Sequence, residues 1–443
     1  MSIERLYELY LQSSGITTDT RSIKKSNLFF ALKGEKFNAN QFAEAALQAG
    51  ASYAVVDEIG ETTWKERYGE RLIHVENVLS TLQQLAGFHR QQFKFPVLAI
   101  TGSNGKTTTK ELIAAVLSKK YKIAFTKGNL NNHIGIPLTL LSINKEHTEL
   151  AVIEMGANHQ REIDSYCQYV QPDYGLITNV GLAHIEGFGG FHGVVKGKTE
   201  LYQHLSLHNG KLFINADDEI LMNKAEEFFG DELLDRAILY GTSPEVFCSG
   251  HIIAGKEFLT VETLHSTIAT QLVGDYNFTN VMSAVCIGKY FHVPTADIKD
   301  ALESYTPTNN RSQKIQWGTN TVIMDAYNAN PSSMKAALKN FEQLSGDFEN
   351  RVVILGEMME LGEFSEEEHR QIFEHTQHMP LDYRVFVGAQ FAFTKNQPGA
   401  LWFAHTADAR EWLHNAELHH SLILVKGSRA NGLERILHFC NEQ

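Results

Sequence analysis

A glycine-rich segment between an apolar run and a helical pattern carries the clearest chemical signal in the sequence. Val97–Ile100 predicts a buried strand, and Lys106 begins a predicted helix. Small residues between them let backbone N–H groups approach phosphate oxygens, and the helix N-terminus adds partial positive charge. Lys106 can reach terminal phosphates, while Thr107 can ligate magnesium. The pattern predicts a nucleotide-phosphate site formed by Gly102, Ser103, Asn104, Gly105, Lys106, Thr107 and Thr108.

The spacing of this segment departs from the standard phosphate loop. In G-x-x-x-x-G-K-T the first glycine would fall at Ile100, whereas this sequence has Gly102. A glycine turn that only begins a helix is therefore an alternative interpretation. Phosphate binding alone also does not separate a kinase from an ATPase or a ligase.

Two further side chains are predicted at strand ends near this loop. Glu154 ends the apolar strand candidate 150–153, and His184 follows another candidate at 176–179. The carboxyl edge of a parallel sheet faces the ligand crevice, where a carboxylate suits Mg²⁺. His184 could reach the same crevice, although a lone histidine among 20 is more often a surface or core residue.

Length and composition set the frame for these residues. A chain of 443 residues predicts about three domains, and 43% hydrophobic with 21% charged residues is typical of globular proteins. A net charge of −13 disfavours a nucleic-acid partner. No apolar segment approaches the roughly 18 residues of a membrane span, so we expect a cytoplasmic protein. Four widely spaced cysteines predict buried free thiols: Cys167, Cys248, Cys286 and Cys440.

Apolar runs that alternate with helical patterns predict an α/β protein of three domains. The proposed limits are a small α/β domain over 1–94, a central domain with a parallel sheet over 95–308, and a third α/β domain over 309–443. Further strand candidates are 53–56, 174–178, 212–215, 321–324, 352–355, 384–387 and 422–425.

Five ordered motifs and both chain ends resemble the Mur ligase family. The ends are TDTRSIKKSNLFFALKGEKFNANQF and VKGSRANGLE, so the resemblance covers essentially the whole chain. The motifs are TGSNGKTTTKE (101–111), KGNLNNHIGIP (127–137), IEMGANHQREI (153–163), TNVGLAHIEGFGG (178–190) and DAYNANPSSM (325–334).

The resemblance implies an ATP-dependent amide ligase with a central phosphate-loop domain and a Rossmann-like C-terminal domain. Its implied cofactors are ATP and Mg²⁺, and its implied partners are UDP-MurNAc-tripeptide and D-alanyl-D-alanine. We expect the protein to be a monomer. ATP would phosphorylate the tripeptide carboxylate, and the dipeptide amine would attack the acyl phosphate. Folylpolyglutamate synthetase shares the loop and the chemistry and is the alternative, and a non-catalytic nucleotide switch is a second one.

The resemblance also implies a role for a lysine in HGVVKGKTELY (192–202). Alignment through Gly193 and Glu200 makes Lys198, rather than Lys196, the carbamylated residue that helps to hold a second Mg²⁺. A carbamate would turn the lysine into a carboxylate-like ligand. Two lysines on a solvated helix face are the alternative. The implied catalytic and metal-binding set is Lys106, Thr107, Glu154, His184 and Lys198.

The remaining implied contacts come from all parts of the chain. Asn277 and Asn280, at i and i+3, could read a purine edge, with Arg311 and Asp325 as further ATP contacts. Substrate binding is implied for Thr20, Arg21, Glu35, Lys36, Asn131, Asn132, Tyr327, Asn328, Asn330, Lys426, Ser428 and Arg429. Helix caps and loop chemistry are the alternative interpretation of Tyr327, Asn328 and Asn330.

Overall fold

Three parallel-rich sheets follow one another along the chain in the computed structural model, which describes residues 1–58, 66–308 and 310–438. Cys440 and residue 309, the predicted start of the third domain, lie outside this range. Cys167, Cys248 and Cys286 are buried and free, as predicted.

The first sheet is small and parallel, with the strand order β1-β2-β5-β6, and β3 and β4 form a separate hairpin. The strands are β1 (Ile16–Thr17), β2 (Leu28–Phe30), β3 (Lys33–Gly34), β4 (Phe37–Asn38), β5 (Tyr53–Val56) and β6 (Leu72–His74). The helices are α1 (Ile3–Gln12), α2 (Ala43–Gln48) and α3 (Val78–Arg90).

The central sheet has nine strands in the order β15-β14-β13-β12-β11-β10-β7-β9-β8. It is parallel from β8 to β13, and β14 and β15 add antiparallel. The strands are β7 (Val97–Thr101), β8 (Ile123–Phe125), β9 (Leu150–Glu154), β10 (Tyr174–Ile177), β11 (Lys211–Asn215), β12 (Ala237–Gly241), β13 (Cys248–Ile252), β14 (Thr260–Thr263) and β15 (Thr267–Ala269).

Helices cover both faces of this sheet. They are α4 (Lys106–Leu117), α5 (Gly135–Leu141), α6 (Glu162–Val170), α7 (Ile185–Phe188), α8 (Phe191–Leu207), α9 (Glu219–Phe229), α10 (Leu233–Arg236), α11 (Phe278–Tyr290) and α12 (Thr295–Ser304). Alternate residues of β7 enter two different cores, because Val97 and Ala99 pack with α3 and α6 whereas Leu98 and Ile100 pack with α4 and α11. Burial on both faces explains the continuous apolar run of this strand.

The strand order places the phosphate loop at a switch point. Strand β7 lies between β9 on one side and β10 on the other, and all three are parallel, so the segments that follow them open at the same edge. Ligands bind at such crevices in doubly wound sheets. Consequently Gly102, Glu154 and His184 are brought to one end of the sheet.

The third sheet has six strands in the order β16-β17-β21-β18-β19-β20, with only the β16–β17 pair antiparallel within the described residues. The strands are β16 (Gln313–Trp317), β17 (Asn320–Asp325), β18 (Arg351–Gly356), β19 (Tyr383–Val387), β20 (Ala400–Phe403) and β21 (Leu422–Lys426). The helices are α13 (Pro331–Gln343), α14 (Ser365–Gln377) and α15 (Thr406–Asn415).

The predicted α/β class is confirmed, and every strand predicted from the sequence is present within about two residues of its expected bounds. The strands that were not predicted are β1 to β4, β6, β8, β12 to β16 and β20. The domain limits at 94 and 308 remain predictions. Among the described helices, none is long and apolar enough to cross a membrane.

Candidate active site

The phosphate loop takes a backbone path that requires glycine at two positions. Gly102 has φ +140°, and a Cβ there would lie 2.0 Å from Thr178 Oγ1. Gly105, which precedes α4, has φ +78°, and its Cβ would lie 2.5 Å from Asn280 Oδ1. Residues with a side chain rarely adopt such φ values, and a Cβ would clash at both positions. The loop is therefore held tightly against β10 and α11.

Lys106 points back into this loop. Its Nζ donates to the carbonyl oxygens of Gly102 at 2.6 Å and Ser103 at 3.1 Å. Burial lowers the pKa of Lys106 to about 8, with Glu154 opposing the shift and Arg311 adding to it. The loop thus holds the amine where bound phosphate oxygens could replace its own carbonyls.

Glu154 is the centre of the polar network beside the loop, and its side chain is fully buried. Its Oε1 accepts from Thr107 Oγ1 at 2.9 Å and from Asn131 Nδ2 at 2.8 Å. Its backbone N–H donates to Thr126 Oγ1 at 2.9 Å, which fixes the end of β9. Asn131, predicted as a substrate contact, is therefore also a partner of this carboxylate.

The oxygen atoms around Glu154 fit a magnesium ion. Glu154 lines the crevice beside Thr107, whose hydroxyl oxygen lies 2.9 Å from Glu154 Oε1. Carboxylate and hydroxyl oxygens are hard ligands of the kind Mg²⁺ prefers, usually together with water and substrate phosphates. The described residues contain no cluster of three or more His, Cys, Asp or Glu side chains that could hold a metal alone. The set therefore suits a metal shared with a nucleotide.

His184 lies after β10 in the left-handed conformation, with φ 55°. Its Nδ1 pairs with the carboxylate of Glu360, which follows β18 of the third sheet and has φ 60°. The hydrogen bond from His184 lowers the pKa of Glu360. This contact joins the central and third sheets at the predicted metal ligand.

Lys198 is fully buried on α8, whereas Lys196 is exposed. Its Nζ donates to the carbonyl oxygen of Ala157 at 2.8 Å and lies 4.9 Å from the centre of the Phe188 ring. Burial, reinforced by the positive charge of Lys106, holds the pKa of Lys198 well below its usual range. The alternative of two lysines on a solvated face is wrong for Lys198.

Asn277 and Asn280 share one face at the start of α11, as their spacing predicts. Asn280 Nδ2 donates to Asn277 Oδ1 at 2.9 Å, and Asn280 Oδ1 accepts from Thr109 Oγ1 at 3.0 Å. Asn277 Nδ2 donates to the Val273 carbonyl at 2.9 Å. Both amides are buried, and Asn280 connects α11 to α4 through Thr109.

The neighbouring strands β17 and β21 place Asp325 opposite Lys426. Lys426 Nζ lies 2.6 Å from Asp325 Oδ2, and it also donates to the Asn328 carbonyl at 3.3 Å. The backbone N–H of Ser312 donates to Asp325 Oδ1 at 3.2 Å. The carboxyl end of the third sheet is therefore an ordered polar surface.

Two arginines stack on Tyr327. The guanidinium carbon of Arg311 lies 3.8 Å from the ring centre, and that of Arg429 lies 5.5 Å from it. Arg311 Nε is buried without a hydrogen-bond partner. The aromatic ring holds the two cations without neutralising them, as a cation–π contact does, so they remain available to an anion.

The third sheet contacts the phosphate loop directly through the start of α13. Asn330 caps this helix by accepting from the Ser333 N–H at 2.9 Å, and its Nδ2 donates to Asn104 Oδ1 at 2.7 Å. The N–H of Leu182 donates to Ser332 Oγ at 3.0 Å. The capping interpretation of Asn330 is confirmed, and the same amide also holds the loop.

A cavity of about 970 Å³ lies between these elements. The predicted residues that line it are Ser103, Asn104, Gly105, Lys106, Thr107, Thr108, Asn131, Asn132, Glu154, His184, Asn277, Asn280, Arg311, Asp325, Tyr327, Asn328, Asn330, Lys426, Ser428 and Arg429. Gly102 and Lys198 lie behind its wall, where the Lys198 partner Ala157 is a lining residue. Ser428 Oγ donates to the Glu357 carbonyl at 2.6 Å, and Asn132 Oδ1 accepts from the Gly135 N–H at 2.8 Å.

The predicted substrate contacts Thr20, Arg21, Glu35 and Lys36 do not line this cavity. Arg21 is exposed and pairs with Asp19 at 2.7 Å, and Thr20 is its neighbour in a short helical turn. Glu35 and Lys36 are exposed at the tip of the β3–β4 hairpin. These residues form part of the first domain's surface.

Several polar residues of the site were not predicted from the sequence. Asn179, Ser332 and Glu360 line the cavity, and Lys110 lies beside Glu154. Asn179 and Ser332 lie inside the quoted motifs, and Glu360 follows a predicted strand at a carboxyl end. The strand-end rule could therefore have found Glu360.

The chain matches three family descriptions that together cover most of its length. Residues 12–90 match "Mur ligase family, catalytic domain", 100–288 match "Mur ligase middle domain", and 310–429 match "Mur ligase, glutamate ligase domain". The UDP-N-acetylmuramoyl-tripeptide–D-alanyl-D-alanine ligase of Bacillus subtilis is 33% identical over 440 residues, which is 96% of this chain and 92% of the relative. The Escherichia coli ligase of the same name is 34% identical over 439 residues, covering 96% and 93%.

Solved structures share the fold over almost the whole chain. MurF from Acinetobacter baumannii has a TM-score of 0.84 at 30% identity, covering 98% of this chain and 97% of that one. MurF ligase from Thermotoga maritima, in complex with ADP, has a TM-score of 0.83 at 24% identity, covering 96% and 97%.

Proposed function

Because the chain belongs to the Mur ligase family, we propose that it is an ATP-dependent, ADP-forming ligase that joins D-alanyl-D-alanine to UDP-MurNAc-tripeptide in peptidoglycan precursor synthesis. Relatives of that name are similar over nearly the full chain. The observation that carries the proposal is that residues at the ends of the central and third sheets line the same cavity. They are Lys106 and Glu154 at the end of the central sheet, and Asp325, Lys426 and Arg429 at the end of the third sheet. Such a cavity can hold a nucleotide, a carboxylate and an amine together.

The chemistry explains why ATP is needed. A carboxylate is anionic, and its oxygen is a poor leaving group, so an amine does not displace it directly. Attack of a carboxylate oxygen on the γ-phosphorus breaks the bond to ADP and forms an acyl phosphate. The neutral amine then attacks the acyl carbon, phosphate leaves with the electron pair of the broken C–O bond, and the amine loses a proton.

The role of this chain's residues is to position these groups and offset their charge. The loop N–H groups and the N-terminus of α4 face the phosphate region, and Lys106 places a cation there. Mg²⁺, when bound, would neutralise phosphate charge and orient the oxygens. Thr107 and Glu154 would hold it, with His184 and a carbamylated Lys198 as the proposed ligands of a second ion.

The other proposed contacts assign residues to the remaining parts of the nucleotide and to the two substrates. Asn277 and Asn280 would face the base, Asp325 the ribose, and Arg311 the phosphates. We propose that the dipeptide or the phosphate faces Tyr327, Asn328, Asn330, Lys426, Ser428 and Arg429. The muramoyl group would lie at Asn131 and Asn132, and UDP at Thr20, Arg21, Glu35 and Lys36.

The proposed domain limits of 1–94, 95–308 and 309–443 assign these tasks to three parts of one monomer, with the protein acting in the cytoplasm. Support comes from the three separate sheets, of which the second carries the phosphate loop and the third forms the opposite wall of the cavity. In this arrangement the third domain delivers the amine to the carboxylate activated on the second.

ADP release is expected only when ATP, UDP-MurNAc-tripeptide and D-alanyl-D-alanine are all present, together with a product whose mass is that of the pentapeptide. Each substrate is omitted in turn as a control. A folate substrate with glutamate tests the alternative activity of folylpolyglutamate synthetase. ADP release with the folate pair, and none with the muramoyl pair, would overturn the proposed function.

A further inference from the structure

A buried lysine beside Glu154 has no part in the chemistry described above. Lys110 lies on α4, one turn after Lys106, and its side chain is 0% exposed. Its Nζ is 3.5 Å from Glu154 Oε2 and 3.1 Å from Glu111 Oε1. A buried ammonium group is costly unless an opposite charge lies close to it. Because Glu111 is partly exposed and Glu154 is fully buried, the contact with Glu154 is the better shielded of the two.

The two oxygens of Glu154 have different partners. Oε1 accepts hydrogen bonds from Thr107 and Asn131, which both line the cavity. Oε2 and Lys110 Nζ are both buried and form no hydrogen bond, so charge attraction is what joins them. The carboxylate is thus contacted on its cavity side by neutral donors and on its buried side by a cation.

One helix makes both contacts. Thr107 and Lys110 are three residues apart on α4, and residues at that spacing lie on the same helix face. Thr107 contacts Oε1 and Lys110 contacts Oε2, so α4 restrains the rotation of the carboxylate at both atoms. The same helix begins at the phosphate loop. The orientation of Glu154 is therefore coupled to the position of the loop.

We propose that Lys110 is a positioning residue that anchors Oε2 of Glu154 and so fixes this carboxylate for binding of the metal–nucleotide complex. The proposal rests on the proposed function, in which Glu154 is a magnesium ligand. Partners that orient metal ligands typically change metal affinity by about 10- to 100-fold when they are removed. Lys110 is expected to fall in that range.

The test is the affinity of the protein for ADP, measured by calorimetry with and without MgCl₂. Lys110→Met, which keeps the length of the side chain and removes its charge, is expected to weaken binding in MgCl₂ at least about tenfold more than binding without it. Glu111→Gln removes the other ion pair of Lys110 and is the matched control, expected to bind as the unchanged protein does. Thermal unfolding is recorded for every variant, and Lys110→Gln replaces Lys110→Met if the latter does not fold.

A double variant separates action through Glu154 from a general effect. Lys110→Met added to Glu154→Gln is expected to cause no loss beyond that of Glu154→Gln alone, because the group it positions is already changed. The proposal would be overturned if the affinity losses of the two single variants multiplied in the double variant. It would also be overturned if the ADP affinity of Lys110→Met kept its normal dependence on magnesium. If Glu154→Gln itself leaves the magnesium dependence of ADP binding unchanged, Glu154 is not a magnesium ligand and the proposal fails with it. The proposed ligase function is tested separately, by measuring formation of the pentapeptide product.

Discussion

Replacement of Lys106 by alanine is expected to slow ATP-dependent ligation by about 10²- to 10⁴-fold. The amine is the cation that the phosphate loop holds at its own carbonyl oxygens, 2.6 Å from Gly102 and 3.1 Å from Ser103. Charge that develops on the transferring phosphoryl group would lose this stabilisation. The measurement is the initial rate of ADP release with both ligation substrates at saturation.

Lys119→Ala is the matched control for Lys106→Ala. Lys119 lies just after α4, and its side chain is 34% exposed and pairs with Asp300 at the surface. Exposed pairs contribute about 0–1 kcal/mol, so this variant is expected to keep its rate. Near-normal turnover in Lys106→Ala would contradict the proposal that ATP binds at this loop.

Lys198→Ala is expected to lose most ligase activity, by about 10- to 100-fold or more, whereas Lys196→Ala is expected to retain it. Lys198 is fully buried beside the cavity wall, and burial disfavours its charged form. A neutral amine is the form that reacts with carbon dioxide, and the carbamate would supply oxygen ligands to Mg²⁺. Lys196 is exposed on the same helix and provides the matched control.

Two further measurements separate a carbamate from a merely structural lysine. A short carboxylic acid added in solution is expected to restore part of the activity of Lys198→Ala by occupying the vacated ligand position. The mass of the intact protein is expected to include one carbon dioxide at Lys198. A fully active Lys198→Arg protein with no such modification would show that the carbamate is not required.

The parts of the fold that could be predicted are those set by the nearby sequence, such as apolar runs and glycines. Val97–Ile100 is a continuous apolar run because β7 is buried on both faces, and the following glycines mark where the backbone must take positive φ. Strands β13 and β14 escaped prediction because polar residues such as His251 and Glu262 interrupt their apolar pattern.

The contacts of the site that could not be predicted join distant segments of the chain. His184 meets Glu360, and Asn104 meets Asn330, only because the third sheet lies against the phosphate loop. Lys110 lies within the motif TGSNGKTTTKE but was not predicted, because its position in the sequence does not show that its side chain on α4 faces Glu154. Strand-end placement identified Glu154 correctly as a residue of the crevice, because that inference needs only the direction of one parallel strand.

In the proposed mechanism the tripeptide carboxylate is activated by phosphorylation in this cavity. The most direct test places a heavy-oxygen label in that carboxylate and follows it during ligation to D-alanyl-D-alanine. We expect the label to appear in the released phosphate, because one carboxylate oxygen becomes the bridge to phosphorus and leaves with it. Label kept wholly in the peptide product, with none in phosphate, would contradict the acyl-phosphate mechanism.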